Sequence, residues 1–263
     1  MTAEQKTNVA LFLDMAGDYL RDGYKRPSRI YSFSEDQVSP ICSDAVLTEP
    51  QGPASGETGG SALEGPGVEA ADSLEAVAAE VRGCTACPLC ATRTMAVPGE
   101  GVSRPLVLVV GEGPGADEDA SGRPFVGKAG QLLDKMLASI GLSREQNCFI
   151  ANVVKCRPPG NRDPLPEEIA PCAVFLNRQI RLLGPTVILC AGKVATHALL
   201  KTDEGIGKLR GRFIDYGGIP LLPTYHPSAI LHNESFKRPV WEDLKLLRTT
   251  LIDLDETYAH ING

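Results

Sequence analysis

Leu106-Val107-Leu108-Val109-Val110-Gly111-Glu112-Gly113-Pro114-Gly115 runs from five apolar residues straight into alternating glycines. A wholly apolar run this short suits a strand buried on both faces, as in a parallel sheet. The glycines leave bare backbone at the carboxyl end of that strand. Outward from this point the chain alternates in type. Upstream, residues 74–81 have helical spacing. Downstream, helices are expected over 130–140, 166–183, 193–200 and 238–254, and further strands over 149–154, 186–191 and 220–224. Strands alternating with helices imply an α/β sandwich around a parallel sheet. Ligands of such sheets gather at the carboxyl ends of the strands. That rule singles out residues 111–115, 155–162, 192–193 and 225–231.

The N-terminal part is of a different kind. Residues 49–67 are dense in Gly, Pro, Ser and Glu, the composition of a linker, and residues 9–24 carry one short helical pattern through Leu11, Met15, Tyr19 and Leu20. The expected division is a largely flexible N-terminal extension over 1–72, with no partner that a motif identifies, and a folded domain over 73–263. The net charge of −7 is uneven: residues 1–80 hold 5 Lys/Arg against 14 Asp/Glu, the remainder 21 against 19. The acidity therefore belongs to the extension, and the mildly basic remainder is compatible with phosphate contacts. Residues 1–8 are polar and the apolar run at 9–13 is too short for a secretory leader. No stretch approaches the roughly 20 apolar residues of a membrane span. Eight cysteines in so long a chain do not read as the disulfide framework of a small secreted domain. The expectation is a soluble, cytoplasmic, monomeric protein with reduced thiols and no membrane partner.

The glycine-rich block is not a nucleotide site. Its glycines at every second position, interrupted by Pro114, miss the dinucleotide fingerprint. Gly122-Arg123-Pro124-Phe125-Val126-Gly127-Lys128 has P-loop spacing, but Ala129 stands where Mg²⁺ needs a hydroxyl. What the block offers is open backbone for a flat ligand, with Glu112, Asp117, Glu118 and Asp119 close by in sequence. Phe125, outside any periodic element, can supply a stacking face. Asn152 ends the second strand, and its amide has the donors and acceptor to read an imide edge. His226, after the fourth strand, can donate to charge developing on a leaving group, and Pro227-Ser228 forms a turn whose N–H and hydroxyl suit a phosphate. Leu231, near Lys237 and Arg238, fits an apolar wedge beside phosphate contacts.

Cysteines bracket this stretch: Cys84-Thr85-Ala86-Cys87 before it, Cys156 and Cys172 after it. Thiolates in fours hold an iron–sulfur cluster or zinc. Cys87-Pro88-Leu89-Cys90 has the same spacing, so Cys90 competes with Cys84. Cys42, Cys148 and Cys190 read as bystanders.

Together these residues resemble the family-four uracil-DNA glycosylases, the iron–sulfur branch of the uracil-DNA glycosylase superfamily. The matching pieces run in order. They are Cys84 and Cys87 with Arg93 and Val97-Pro98-Gly99-Glu100-Gly101; Gly111 to Gly115 with Glu118-Asp119; Gly122 to Gly127 with Ala129-Gly130; Asn152-Val153-Val154-Lys155-Cys156-Arg157-Pro158-Pro159 with Asn161-Arg162; Cys172; and His226-Pro227-Ser228. The resemblance covers residues 74–254 and implies a three-layer sandwich with a four-stranded parallel sheet. It implies a [4Fe–4S] cluster on Cys84, Cys87, Cys156 and Cys172, picking Cys84 over Cys90, and a structural role for it. It implies hydrolysis of the N-glycosidic bond of deoxyuridine in DNA, leaving an abasic site for base excision repair. Phe125 would stack on the extruded uracil, Asn152 would read its imide edge, and Gly113 would approach it through backbone. His226 would stabilise the departing base, and Ser228 would meet phosphate. The acid that offsets sugar cation or orients water is open between Glu112 and Glu118, with Asp119 behind them. The superfamily's better-known branch has aspartate where this chain has Gly113, which shifts catalysis toward the leaving group. A cross-linking subfamily carries a histidine after the second strand; residues 156–162 have none, so covalent capture is not expected. The alternative is a non-catalytic iron–sulfur protein that binds nucleic acid in the same groove.

Overall fold

The computed structural model describes residues 72–262. The expected helix over 9–24, the linker over 49–67 and Cys42 lie outside them. Helix α1 (Leu74–Gly83) opens the fold, its N-terminus capped by the Ser73 hydroxyl, which accepts from the Ala76 N–H at 3.1 Å. There follow β1 (Glu100–Gly101), β2 (Val107–Gly111), α2 (Ala116–Ser121), α3 (Lys128–Ala138), β3 (Cys148–Asn152), α4 (Pro166–Leu183), β4 (Val187–Ala191) and α5 (Lys193–Leu200). The chain ends with α6 (Ile206–Leu209), β5 (Ile214–Tyr216), β6 (Ile219–Thr224), α7 (Pro227–His232), α8 (Lys237–Leu254) and α9 (Glu256–Asn262). Among the described residues, no helix is long and apolar enough to cross a membrane.

The sheet has order β1-β3-β2-β4-β6-β5. Its four central strands are parallel, with Leu108 opposite Phe149 and Ile188, and Leu189 opposite Leu222. The expected four-stranded parallel sheet is therefore corrected to a six-stranded mixed sheet, because an antiparallel strand closes each edge. β1 is two residues long, and β5 carries exposed Asp215 amid half-buried neighbours. Neither offers the apolar run that betrays a buried strand.

Alternation along each central strand divides the core in two. Val107, Val109, Ile150, Leu189 and Leu222 face α3 and α8, meeting Leu133, Leu137, Trp241, Leu244 and Leu247. Leu108, Val110, Ala151, Ile188, Cys190 and Leu221 face the other way, against Val77, Val81, Leu176, Ile180 and Leu199 of α1, α4 and α5. Period-two strands with apolar residues on both faces give three layers. At the far end Tyr258 of α9 donates its hydroxyl to the Ile140 carbonyl, pinning the last helix to α3's exit. Every central strand thus points its carboxyl end to one edge of the molecule.

Candidate active site and thiol pocket

At that edge, Asn152 is the last residue of β3 and lies beside Gly111, the last residue of β2. The Asn152 side chain is buried, and its Oδ1 has no hydrogen-bond partner among the described residues. A buried acceptor left unpaired is costly, so this amide is set for a donor that the described residues do not provide. Gly111 permits the arrangement: a Cβ there would come within 2.4 Å of both Asn152 Oδ1 and Phe125 Cζ.

Phe125 sits above this point, buried, with its ring centroid 5.6 Å from that of His226 and the planes tilted by 31°. Its φ of 52° is left-handed, a conformation costing a non-glycine residue about 1–3 kcal/mol. Three devices impose it. Arg144, itself buried, donates to the carbonyls of Pro124 and Phe125 at 3.0 Å each and pairs with Asp134 at 2.7 Å. Gly130 lets α3 approach, since a Cβ there would lie 2.0 Å from the Phe125 carbonyl. Glu118 accepts from the N–H groups of Val126 and Gly127 at 2.8 and 2.9 Å and from Gly115 at 3.0 Å.

The acidic candidates part company here. Both Glu118 oxygens are spent on backbone N–H groups. Asp119 is buried and accepts from the N–H groups of Thr94 and Met95 at 2.9 and 3.4 Å, which ties the cysteine-bearing loop to α2. Glu112 is half-buried in the turn after β2. Burial first, and the charge of Asp163 second, push its carboxyl up to about 7. Its main-chain carbonyl accepts from Val154 at 3.1 Å, extending the ladder past the strand end. Gly113, next in that turn, faces Val154 and Pro158.

His226 caps the N-terminus of α7. Its Nδ1 accepts from the Ser228 N–H at 3.2 Å and lies 2.7 Å from the Ser228 hydroxyl. An Nδ1 that accepts a backbone N–H carries no proton, so in the neutral ring the proton is on Nε2. Burial lowers its pKa to about 4, partly opposed by Glu118, which keeps the ring neutral near pH 7. Ser228, expected at a phosphate, is placed to fix the His226 tautomer. The strand feeding this turn is anchored below by Asp243. That buried carboxylate accepts from the Thr224 hydroxyl at 2.6 Å and from Arg210 at 3.0 and 2.8 Å, while the Arg210 guanidinium lies 5.6 Å from the Tyr225 ring centroid. Leu231 is exposed on α7, and Lys237 beyond it pairs with Glu234 at 3.0 Å.

On the opposite face of the sheet, Cys84, Cys87, Cys90, Cys156 and Cys172 line one pocket with Arg93, Lys155 and Phe175. The seven cysteines among the described residues are all unpaired. N–H donors already address the sulfurs: Arg93 to Cys156 at 3.1 Å, Lys155 to Cys172 at 3.3 Å and Ala86 to Cys84 at 3.5 Å. Burial pushes the Cys172 thiol up to about 11, so a thiolate there needs positive charge beside it. Among the described residues, no three His, Cys, Asp or Glu side chains are grouped about a single-ion position. The donors surround a space instead.

Sequence reasoning missed Arg144, Asp243, Arg210, Lys155 and Gln179. Each has at least one partner 19 or more residues away. Local pattern carries no sign of such pairs.

Residues 98–245 match the sequence model of the family described as the uracil DNA glycosylase superfamily. The chain is similar to the type-4 uracil-DNA glycosylase of Saccharolobus solfataricus, 45% identical over 189 residues that make up 68% of this chain and 87% of that one. It is 47% identical over 176 residues to the enzyme of that name from Thermotoga maritima, covering 65% and 91% of the two chains. Against the one from Archaeoglobus fulgidus the figures are 40% over 182 residues, 66% and 91%.

Proposed function

The chain belongs to the uracil-DNA glycosylase superfamily, and from that premise we infer that it is a uracil-DNA glycosylase of DNA repair, hydrolysing the bond between uracil and deoxyribose to leave an abasic site. The unpaired Asn152 Oδ1 carries the reading at the level of residues. Uracil presents an N–H between two carbonyls, and only a base swung out of the stack can bring that edge to Asn152. Phe125 offers its ring to the extruded base, and the Gly113 turn approaches through backbone. No observation favours the non-catalytic alternative.

When the C1′–N1 bond breaks, the electron pair goes to the base and positive character is left on the sugar. His226 donates from Nε2 to the oxygen that gathers this negative charge, and as a neutral donor it does not have to surrender its proton. Water then bonds to C1′ and passes a proton to the ionised Glu112 carboxylate. Glu112 is the acid we assign to orienting that water and offsetting the sugar, because Glu118 and Asp119 are committed to backbone N–H groups. Exposed Leu231 fits a wedge filling the space that the base vacates.

Cys84, Cys87, Cys156 and Cys172 would hold a [4Fe–4S] cluster. The shared pocket and the N–H groups aimed at the sulfurs support it. When bound it supplies a crosslink between the turn after α1, the exit of β3 and α4. We place the enzyme in the cytoplasm, where thiols stay reduced, as a monomer.

The direct test is anaerobically purified protein with a single-uracil oligonucleotide, then alkali to cleave abasic sites. Uracil-dependent cleavage with an inert thymine control is expected. No cleavage from protein with intact iron–sulfur absorbance would sink the reading.

Two further outcomes follow from the geometry. Glu112 acts ionised, so kcat/KM should fall as pH drops through about 7. Glu112→Gln should flatten that limb, and Asp163→Asn, by removing the neighbouring negative charge, should move it to lower pH. A limb unchanged in Glu112→Gln reassigns the acid. Arg144→Ala frees the Phe125 loop and should lower kcat/KM about 10-fold, with Arg144→Lys recovering part; equal kinetics in wild type and Arg144→Ala would remove the clamp from the argument.

A further inference from the structure

Lys155 takes no part in the chemistry assigned so far, yet it is among the largest side chains fully removed from water. Burying an ammonium group is strongly unfavourable unless opposite charge accompanies it. Its Nζ donates to the main-chain carbonyl of Asn152 at 2.9 Å and to Gln179 Oε1 at 2.6 Å. Gln179, also buried, donates in turn to the Pro98 carbonyl at 2.7 Å. Both partners of the ammonium are neutral. Charge on Cys172 would favour the ammonium; the main chain of the same residue already engages that thiol, its N–H donating to Cys172 Sγ at 3.3 Å, and Lys155 lines the pocket with Cys84, Cys87, Cys156 and Cys172.

We propose that Lys155 is a positioning residue coupling the two halves of the site. Its ammonium, countered by the thiolate ligands of the pocket, holds the Asn152 carbonyl and so fixes the amide that reads the base. The inference rests on Asn152 as base reader and on the four thiolates as cluster ligands. Strand β3 ends at Asn152 and Cys156 follows four residues later, so Lys155 stands where the chain passes from one site to the other. The coupling is reciprocal, as any linkage is. A filled pocket steadies Asn152, and loss of the ammonium loosens the hold on iron.

The test compares full-length wild type and Lys155→Met, purified anaerobically and matched for iron content. One readout is KM for uracil in DNA together with affinity for free uracil; the other is the rate at which a chelator strips the iron. Lys155→Met should weaken uracil affinity about 10-fold, the loss of one buried charged hydrogen bond, with kcat per loaded molecule changing less. It should also lose iron several-fold faster. Gln179→Leu keeps the ammonium and removes its anchor, so uracil affinity should fall while iron release stays near wild type. Iron-loaded Lys155→Met that matches wild type in both readouts overturns the coupling and leaves the glycosylase assignment standing. Wild type that excises no uracil overturns the assignment and the coupling together. If Lys155→Met does not fold, Gln179→Leu decides, and unchanged uracil affinity overturns the proposal.

Discussion

His226→Ala lowers kcat for uracil release by about 10²–10³, the usual cost of losing one preorganised donor to developing charge, with little change in KM. The split follows from timing: the base oxygen gathers its negative charge only as the glycosidic bond stretches, so Nε2–H contributes in the transition state far more than in the bound state. His226 is half-buried and, among the described residues, its ring hydrogen-bonds only to the turn it caps, so the fold should survive the substitution. Because burial holds its pKa at about 4, the ring charges only as pH falls through that value. The shape of the rate profile from pH 6 to 9, roughly the range around the unperturbed histidine value, should therefore be the same in wild type and variant. Single-turnover kinetics decide the matter, and a loss below tenfold would assign the leaving group to another donor.

Asn152→Ala is expected to lower kcat/KM on uracil by about 10³ and to narrow the gap between uracil and cytosine. A site built to pair a base edge discriminates because its buried polar atoms go unpaired with the wrong partner. Asn152 already stands with Oδ1 unpaired, so uracil removes a standing penalty that cytosine, with an acceptor at the matching ring position, cannot. Removing the amide abolishes both the reward for the right base and the penalty for the wrong one. Competition assays with uracil and cytosine oligonucleotides measure this, and unchanged selectivity between them would clear Asn152 of the reading role.

The central sheet was legible because burial on both faces leaves unbroken apolar runs: 106–110, 149–154, 186–191 and 220–224 fall on the four parallel strands almost residue for residue. The same strand ends named Asn152 and His226 as candidates. The edges escaped because a two-residue strand has no period, although the Gly217-Gly218 dipeptide before β6 is a hairpin signal that the pattern held. The acids were ambiguous for a different reason. Glu112 and Glu118 are equivalent in composition, and the backbone N–H groups folded around Glu118, which the sequence does not announce, are what favour Glu112 as the proposed acid. Nor does the sequence show that the Ser228 hydroxyl, read as suiting a phosphate, lies 2.7 Å from His226 Nδ1.

The thiol pocket draws on Cys84 and Cys87, on Cys156 and on Cys172, and this scatter sets its place in the life of the chain. During synthesis the first two thiols emerge long before the last, and the pocket closes only when β3 has joined β2 and α4 has docked on the sheet. Contacts between such distant segments form late and slowly. If the pocket takes up the proposed cluster, iron arriving early would meet a two-thiol fragment, and iron arriving after docking would meet a finished cage. For the proposed cluster, the timing of metal delivery against translation would then bear on how much of the newly made protein matures.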